Sequence, residues 1–104
     1  MRLWIDDNKP APEGSVWAMS ANFAIYTIEW WEKFYHQYDT DKTIYIDIDY
    51  NSQLSWRDGG DFISVLTWME ETGRSYPVRI HSISPSGRKR MQEIIERNGW
   101  ESYD

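Results

Sequence analysis

The sequence predicts an α/β fold: a mostly parallel four-stranded sheet with about three helices, stacked in three layers. Three observations predict it. Short runs rich in β-branched and aromatic residues occur at four places: Leu3-Trp4-Ile5, Val16-Trp17-Ala18, Thr43 to Asp49, and Val78-Arg79-Ile80. Segments with apolar residues at helical spacing follow the second, third and fourth runs. Strands that alternate with helices pair in parallel, and right-handed crossovers then bring the strand ends to one edge.

Each element has its own local reason. Arg2–Asp6 reads as the first strand, and Asp7 to Gly14 as a loop stiffened by Pro10 and Pro12. Val16–Ala18 is a short second strand. Ser20 is a good N-cap for a helix over Ala21–Tyr38, whose buried face would hold Phe23, Ala24, Ile28, Trp31 and Tyr35. After the polar turn Asp39 to Lys42, Thr43–Asp47 is the third strand, with Ile44, Ile46 and Ile48 alternating with Tyr45, Asp47 and Asp49. Asn51 to Gly60 is a polar loop carrying Leu54 and Trp56. Asp61–Thr72 is the second helix, with Phe62, Val65, Leu66 and Met69 inward and Gly73 closing it. Tyr76–Ile80 is the fourth strand. Ser84-Pro85-Ser86-Gly87 opens a last helix, Arg88–Arg97, with Met91, Ile94 and Ile95 inward. No repeat or low-complexity segment interrupts the pattern, so residues 1–104 read as one domain.

Composition narrows the function. The 104 residues hold 11 Lys+Arg against 17 Asp+Glu, and 11 − 17 = −6. A duplex nucleic acid partner is excluded, because it needs a basic face. A small phosphorylated ligand is not, because it needs only a local positive pocket. There is no cysteine, which fits a reducing, cytoplasmic setting. No basic-then-apolar leader and no apolar run of about 20 residues is present, so no membrane role is expected. Seven Trp, seven Tyr and three Phe are many for so short a chain. Trp30, Trp31, Phe34, Tyr35 and Tyr38 exceed what one buried helix face can hold, so a homodimer is expected.

The chemistry-bearing residues gather at the strand ends, where ligands bind in parallel sheets. Asp6 and Asp7 end the first strand, Asp47 and Asp49 the third, and His81 with Ser82 the fourth. Asp6, Asp7 and Asp47 form the carboxylate set that a hard cation such as Mg²⁺ would take. A histidine among carboxylates has its charged form favoured, which suits a general acid or a cationic donor to phosphate. Ser84, Gly87 and Arg88 open a helix whose free N–H groups would hold an anion, with the Arg88 guanidinium as a fork. Trp56 and Tyr50 are placed to stack a base. No nucleotide-binding glycine fingerprint and no nucleophile elbow occur.

Four ordered motifs carry a resemblance. They are M-R-L-W-I-D-D-x-x-P-A-P-x-G over residues 1–14, D-x-D at 47–49, G-G-D-F at 59–62, and R-I-H-S-x-x-P-x-G-R-x-x-M at 79–91. Together they resemble the cyclic-phosphate-processing receiver-like family, which is similar to response-regulator receivers and occurs mainly in bacteria and phages. The resemblance implies a receiver-like fold, a pocket for a cyclic phosphate, and roles for Asp6, Asp7, Asp47, His81, Ser82 and Arg88. The third strand end departs from the family's L-D-H-D-L-G: here Ile48 stands for the histidine and Asn51 for the glycine. Catalysis by two histidines is therefore not available, since His36 lies on the first helix. Three functions follow. One is an enzyme that opens a cyclic phosphate with His81 as acid, Asp47 or Asp49 as base, and Arg88 as clamp. Another is a non-catalytic binder that sequesters a nucleotide-derived signal, as phage counter-defence proteins do. The third, a phosphoacceptor receiver using Asp47, ranks last because no fifth strand ends in a lysine.

Overall fold

A computed structural model describes residues 1–38, 40–50 and 61–103. Among the described residues, four strands, β1 (Arg2–Ile5), β2 (Val16–Ala18), β3 (Tyr45–Ile48) and β4 (Val78–Ile80), form one sheet in the order β2-β1-β3-β4. Every pairing is parallel. Three α-helices accompany them among the described residues: α1 (Ala21–Trp30), α2 (Ile63–Glu71) and α3 (Pro85–Asn98). The parallel α/β class is therefore the observed one. The loop expected over residues 51–60, with Leu54 and Trp56, lies outside the described residues.

The layering differs from the three layers expected. Leu3, Ile5, Ile46, Ile48 and Val78 share one buried cluster with Ala24 and Ile28 of α1, Leu66 and Met69 of α2, and Met91 and Ile95 of α3. Helix α2 lies beside both α1 and α3. All three helices thus cover the same face of the sheet. The reason is topological. From β2 the chain steps over β1 to β3 and then to β4, always in one direction, and right-handed crossovers that advance one way stay on one face. The only step in the opposite direction, β1 to β2, is made by a loop with no helix. Among the described residues, the second face of the sheet carries no helix.

Local chemistry accounts for the element ends. The Ser20 hydroxyl accepts from the Phe23 N–H at 3.1 Å and starts α1. The helical path runs to Tyr38 as expected, but it widens into a π-helical turn at Trp31–Tyr35 and tightens into a 3-10 turn at His36–Tyr38. The π turn keeps Trp31 in the core and turns Glu32 to Arg74, which donates to it through Nε at 3.1 Å and Nη2 at 2.9 Å. Phe23 and Tyr35, expected inside, are 48% and 45% exposed. Helix α3 starts at Pro85 rather than Arg88, because the Ser84 side chain caps it by accepting from Gly87 N–H at 3.2 Å and proline suits a first turn. Gly99 ends α3 in the left-handed region at φ 68°. Beyond it, Val78 N–H donates to Glu101 O at 2.9 Å, and Tyr103 N–H to Val78 O at 3.3 Å. This one-residue parallel bridge extends the sheet edge past β4. No periodic pattern in the sequence announces it.

Candidate functional site

Strand alternation sorts the side chains. With Leu3, Ile5, Ile46, Ile48 and Val78 under the helices, Trp4, Asp47 and Arg79 must point to the other face. They are direct neighbours across the sheet: Trp4 pairs with Asp47, and Asp47 with Arg79. Asp6 and His81 continue the same parity just past the strand ends.

These residues form one continuous chain of hydrogen bonds. His81 Nδ1 lies 2.5 Å from Asp47 Oδ1, and His81 Nε2 lies 2.9 Å from Asp6 Oδ2. The other oxygen of Asp47 accepts from Arg79 Nε at 2.9 Å and from Arg79 Nη2. The other oxygen of Asp6 accepts the backbone N–H groups of Asn8 at 2.8 Å and Lys9 at 3.0 Å. All four carboxylate oxygens and both imidazole nitrogens are thereby engaged. The Trp4 indole stacks on the His81 ring, with centroids 3.9 Å apart and planes 7° off parallel. A second indole, Trp17, donates to the Asp6 carbonyl at 2.6 Å and ties the β1–β2 loop to the network.

The electrostatics agree with the geometry. Asp6 and Asp47 are almost fully buried. Burial alone would raise their pKa values. For Asp6 the Lys9 and Asn8 amides and His81 outweigh it, and for Asp47 the His81 ring and Arg79 do so, leaving both below the ordinary carboxylate value. Burial pulls the other way on His81, lowering its pKa, but the two carboxylates win and hold it above the ordinary histidine value. The favoured state is an imidazolium between two carboxylates, with a guanidinium beside it. Two negative and two positive charges cancel, which is what makes their burial tolerable.

A cleft of about 220 Å³ opens on this helix-free face, next to the network. Trp4 and Asp47 floor it, Arg2, Arg79, Tyr45 and Tyr103 wall it, and Glu13 and Ser15 reach it from the β1–β2 loop. The Arg79 guanidinium lies 5.4 Å from the Tyr103 ring centre, and that of Arg2 lies 5.5 Å from the Tyr45 ring centre. The Arg79 side chain is 41% exposed, so it serves Asp47 and faces solvent at once.

The expected site residues divide. Asp6, Asp47 and His81 converge. Asp49 turns its Oδ1 to the Tyr50 N–H at 2.8 Å and has no hydrogen bond to His81. Asp7 is half-buried and does not line the cleft. Ser82 is buried and accepts from Ser84 N–H at 3.2 Å. Arg88 donates to the carbonyls of Ile80 at 3.2 Å and Ser82 at 3.1 Å, so it braces the β4–α3 turn. Gly87 is required for a neighbour rather than an anion: a Cβ there would lie 2.3 Å from the Tyr50 ring. Ser84 is the helix cap. Trp56 lies outside the described residues. The set Asp6, Asp7 and Asp47 does not fit a cation as placed, because N–H donors already fill the oxygens of Asp6 and Asp47. Among the described residues no group of three or more His, Asp or Glu is arranged to hold a metal.

Ile48 also takes a different meaning. It is fully buried on the helix-covered face, so a side chain at 48 does not look across the cleft at His81. Arg79, Trp4 and Tyr103 are the residues that sequence reasoning passed over. The signal for the first two was available: Arg2-x-Trp4-x-Asp6, Tyr45-x-Asp47 and Arg79-x-His81 share one parity.

No helix among the described residues is long and apolar enough to cross a membrane. Comparison with curated proteins gives no match, and comparison with solved structures gives none either. The family model of the cyclic-phosphate processing receiver domain matches residues 1–97, nearly the whole chain, and the protein belongs to that family.

Proposed function

We propose that the protein binds a cyclic phosphate, a cyclic nucleotide or a 2′,3′-cyclic phosphate end, in the cleft on the helix-free face. The carrying observation is that Arg79 both wall-lines the cleft and anchors the Asp47–His81–Asp6 chain beneath it. A guanidinium held by a buried carboxylate is oriented before the ligand arrives, which lowers the ordering cost of binding. Arg2 adds a second positive group, and Tyr45 and Tyr103 supply ring faces for a sugar or base. Family membership supports a cyclic phosphate as the ligand class.

Capture is favoured over hydrolysis. General acid catalysis needs a ring N–H directed at the leaving oxygen. Both nitrogens of His81 are directed at carboxylates, and neither carboxylate has an unengaged oxygen to serve as base. This supports a sequestering protein, of the kind a phage would use against a nucleotide immune signal, over a phosphodiesterase. A phosphoacceptor role for Asp47 is disfavoured for the same reason, since its two oxygens face His81 and Arg79.

Calorimetric titration with 3′,5′- and 2′,3′-cyclic nucleotides, followed by chromatography of the recovered ligand, tests this. The expected result is saturable binding, weakened at least tenfold by Arg79→Gln, with the ligand recovered intact. Recovery of a ring-opened nucleotide would replace capture with hydrolysis. No binding of any cyclic phosphate would end both.

A further inference from the structure

We propose that the outer face of the first helical segment is a homodimer interface, occupied by a second copy of this chain lying antiparallel on the first. Helix α1 and its π-helical continuation bury Ala21, Ala24, Thr27, Ile28 and Trp31 against the core. On the solvent side of this segment Phe23, Tyr26, Trp30 and Phe34 are each between 40% and 60% exposed, and Met19, just before the Ser20 cap, is exposed too. The steps of three, four and four residues from Phe23 to Phe34 keep those four on one stripe. At about 1.5 Å per residue the stripe runs roughly 17 Å.

Size and shape both suit a second copy. With large side chains offering about 150–250 Å² each, the exposed fractions of the stripe, Met19 and Tyr35 amount to roughly 600 Å², the upper end of the apolar patch a typical monomer leaves bare. Flanking polar residues bring the face close to the ~800 Å² per partner of a standard interface. Trp30 stands as a ridge between two shallow grooves, one of about 330 Å³ bounded by Tyr26 and Phe34, the other of about 460 Å³ bounded by Tyr35 and Tyr38. A ridge flanked by grooves is complementary to itself about a two-fold axis.

Charge complementarity selects the orientation. Glu29 and Lys33 border the first groove, one helical turn apart and both exposed. An antiparallel copy meets them in reverse order, so Glu29 faces the partner's Lys33, and Lys33 faces the partner's Glu29. A parallel copy would set like charges together. With a net charge of −6 on each chain, an interface free of like-charge contacts is needed for association.

Sedimentation equilibrium tests the proposal. The wild-type chain of 12.5 kDa is expected to run at twice that mass at tens of micromolar. Tyr26→Glu with Phe34→Glu, both at exposed positions, is expected to leave a 12.5 kDa monomer with an unchanged circular dichroism spectrum. Should that variant fail to fold, the charge pair decides, because it leaves the stripe intact. E29K is expected to weaken dimerisation roughly tenfold over the two symmetry-related pairs, and E29K with K33E to restore it. A wild-type chain that stays monomeric up to millimolar concentration overturns the proposal. So does a dimer indifferent to Tyr26→Glu with Phe34→Glu, or a charge swap that restores nothing.

Discussion

The two faces of the sheet are made from the same strands and could hardly differ more. Beneath the helices, Leu3, Ile5, Ile46, Ile48 and Val78 are at most 1% exposed and wholly apolar. On the other face, one residue along each strand, stand Arg2, Trp4, Tyr45, Asp47 and Arg79, with Asp6 and His81 just beyond. The contrast teaches that period-two alternation is a means of dividing labour. One parity builds the core, and the other is left for charge. The missing helix between β1 and β2 makes that possible, because a second helical layer would have to cover the charged parity with apolar side chains.

The sharpest way to test the division is to damage each face and compare the pH dependence of the loss. Phe62→Ala on the covered side should cost about 3–5 kcal/mol in urea unfolding, and by a similar amount at every pH, because it is lost burial plus a cavity. Asp47→Ala should also cost about 3–5 kcal/mol near pH 6, since it takes the buried carboxylate shared by His81 and Arg79 out of the network and leaves His81 with Asp6 as its one carboxylate there. Its cost, unlike that of Phe62→Ala, should shrink at both ends of the pH range. Asp6 and Asp47 have depressed folded pKa values, so their contribution is complete above the ordinary value of about 3.9 and is lost as pH falls through the folded values. His81 has a raised folded pKa, so its contribution is complete below the ordinary value of about 6.5 and is lost as pH rises through the folded value. The difference between wild type and Asp47→Ala should therefore be largest between about pH 4 and 6.5. A difference that is flat with pH would mean that the network is not charged as described.

A smaller effect separates the faces at a single residue. Ile48→His restores the family's residue but places an imidazole among the core side chains, so we expect a loss of about 1–3 kcal/mol and no gain of hydrolytic activity. Turnover appearing in that variant would show that position 48 reaches the ligand after all. The smallest change should come from Arg88→Gln, about 1 kcal/mol or less, because it removes hydrogen bonds to two carbonyls at an exposed turn.

Much of this was legible in the chain. The isoleucine alternation of β3, the Ser20 cap and the Gly73 that follows α2 each act within a few residues, and short-range signals of that kind survive folding unchanged. The convergence of Asp6, Asp47 and His81 was legible too, because parallel strands bring their ends together. The layer count was not, since it depends on the direction of each crossover and on one connection having no helix. The place of Arg88 and Gly87 at a helix start suggests an anion site, but the Ile80 and Ser82 carbonyls and the Tyr50 ring reach them first. The role of Arg79 depends on which face of the sheet a mid-strand residue takes, and strand ends alone do not reveal it. The edge contact of Glu101 to Tyr103 rests on single backbone hydrogen bonds that leave no trace in the residue pattern.

The central claim is that a cyclic phosphate sits against the helix-free face of the sheet. Following backbone amide shifts by NMR while a cyclic nucleotide is added tests it most directly. The expected result is a footprint on Trp4, Asp47, Arg79, His81 and Tyr103, with Ser84 to Arg88 little changed. A footprint centred instead on Ser84 to Arg88, at the start of α3, would contradict it.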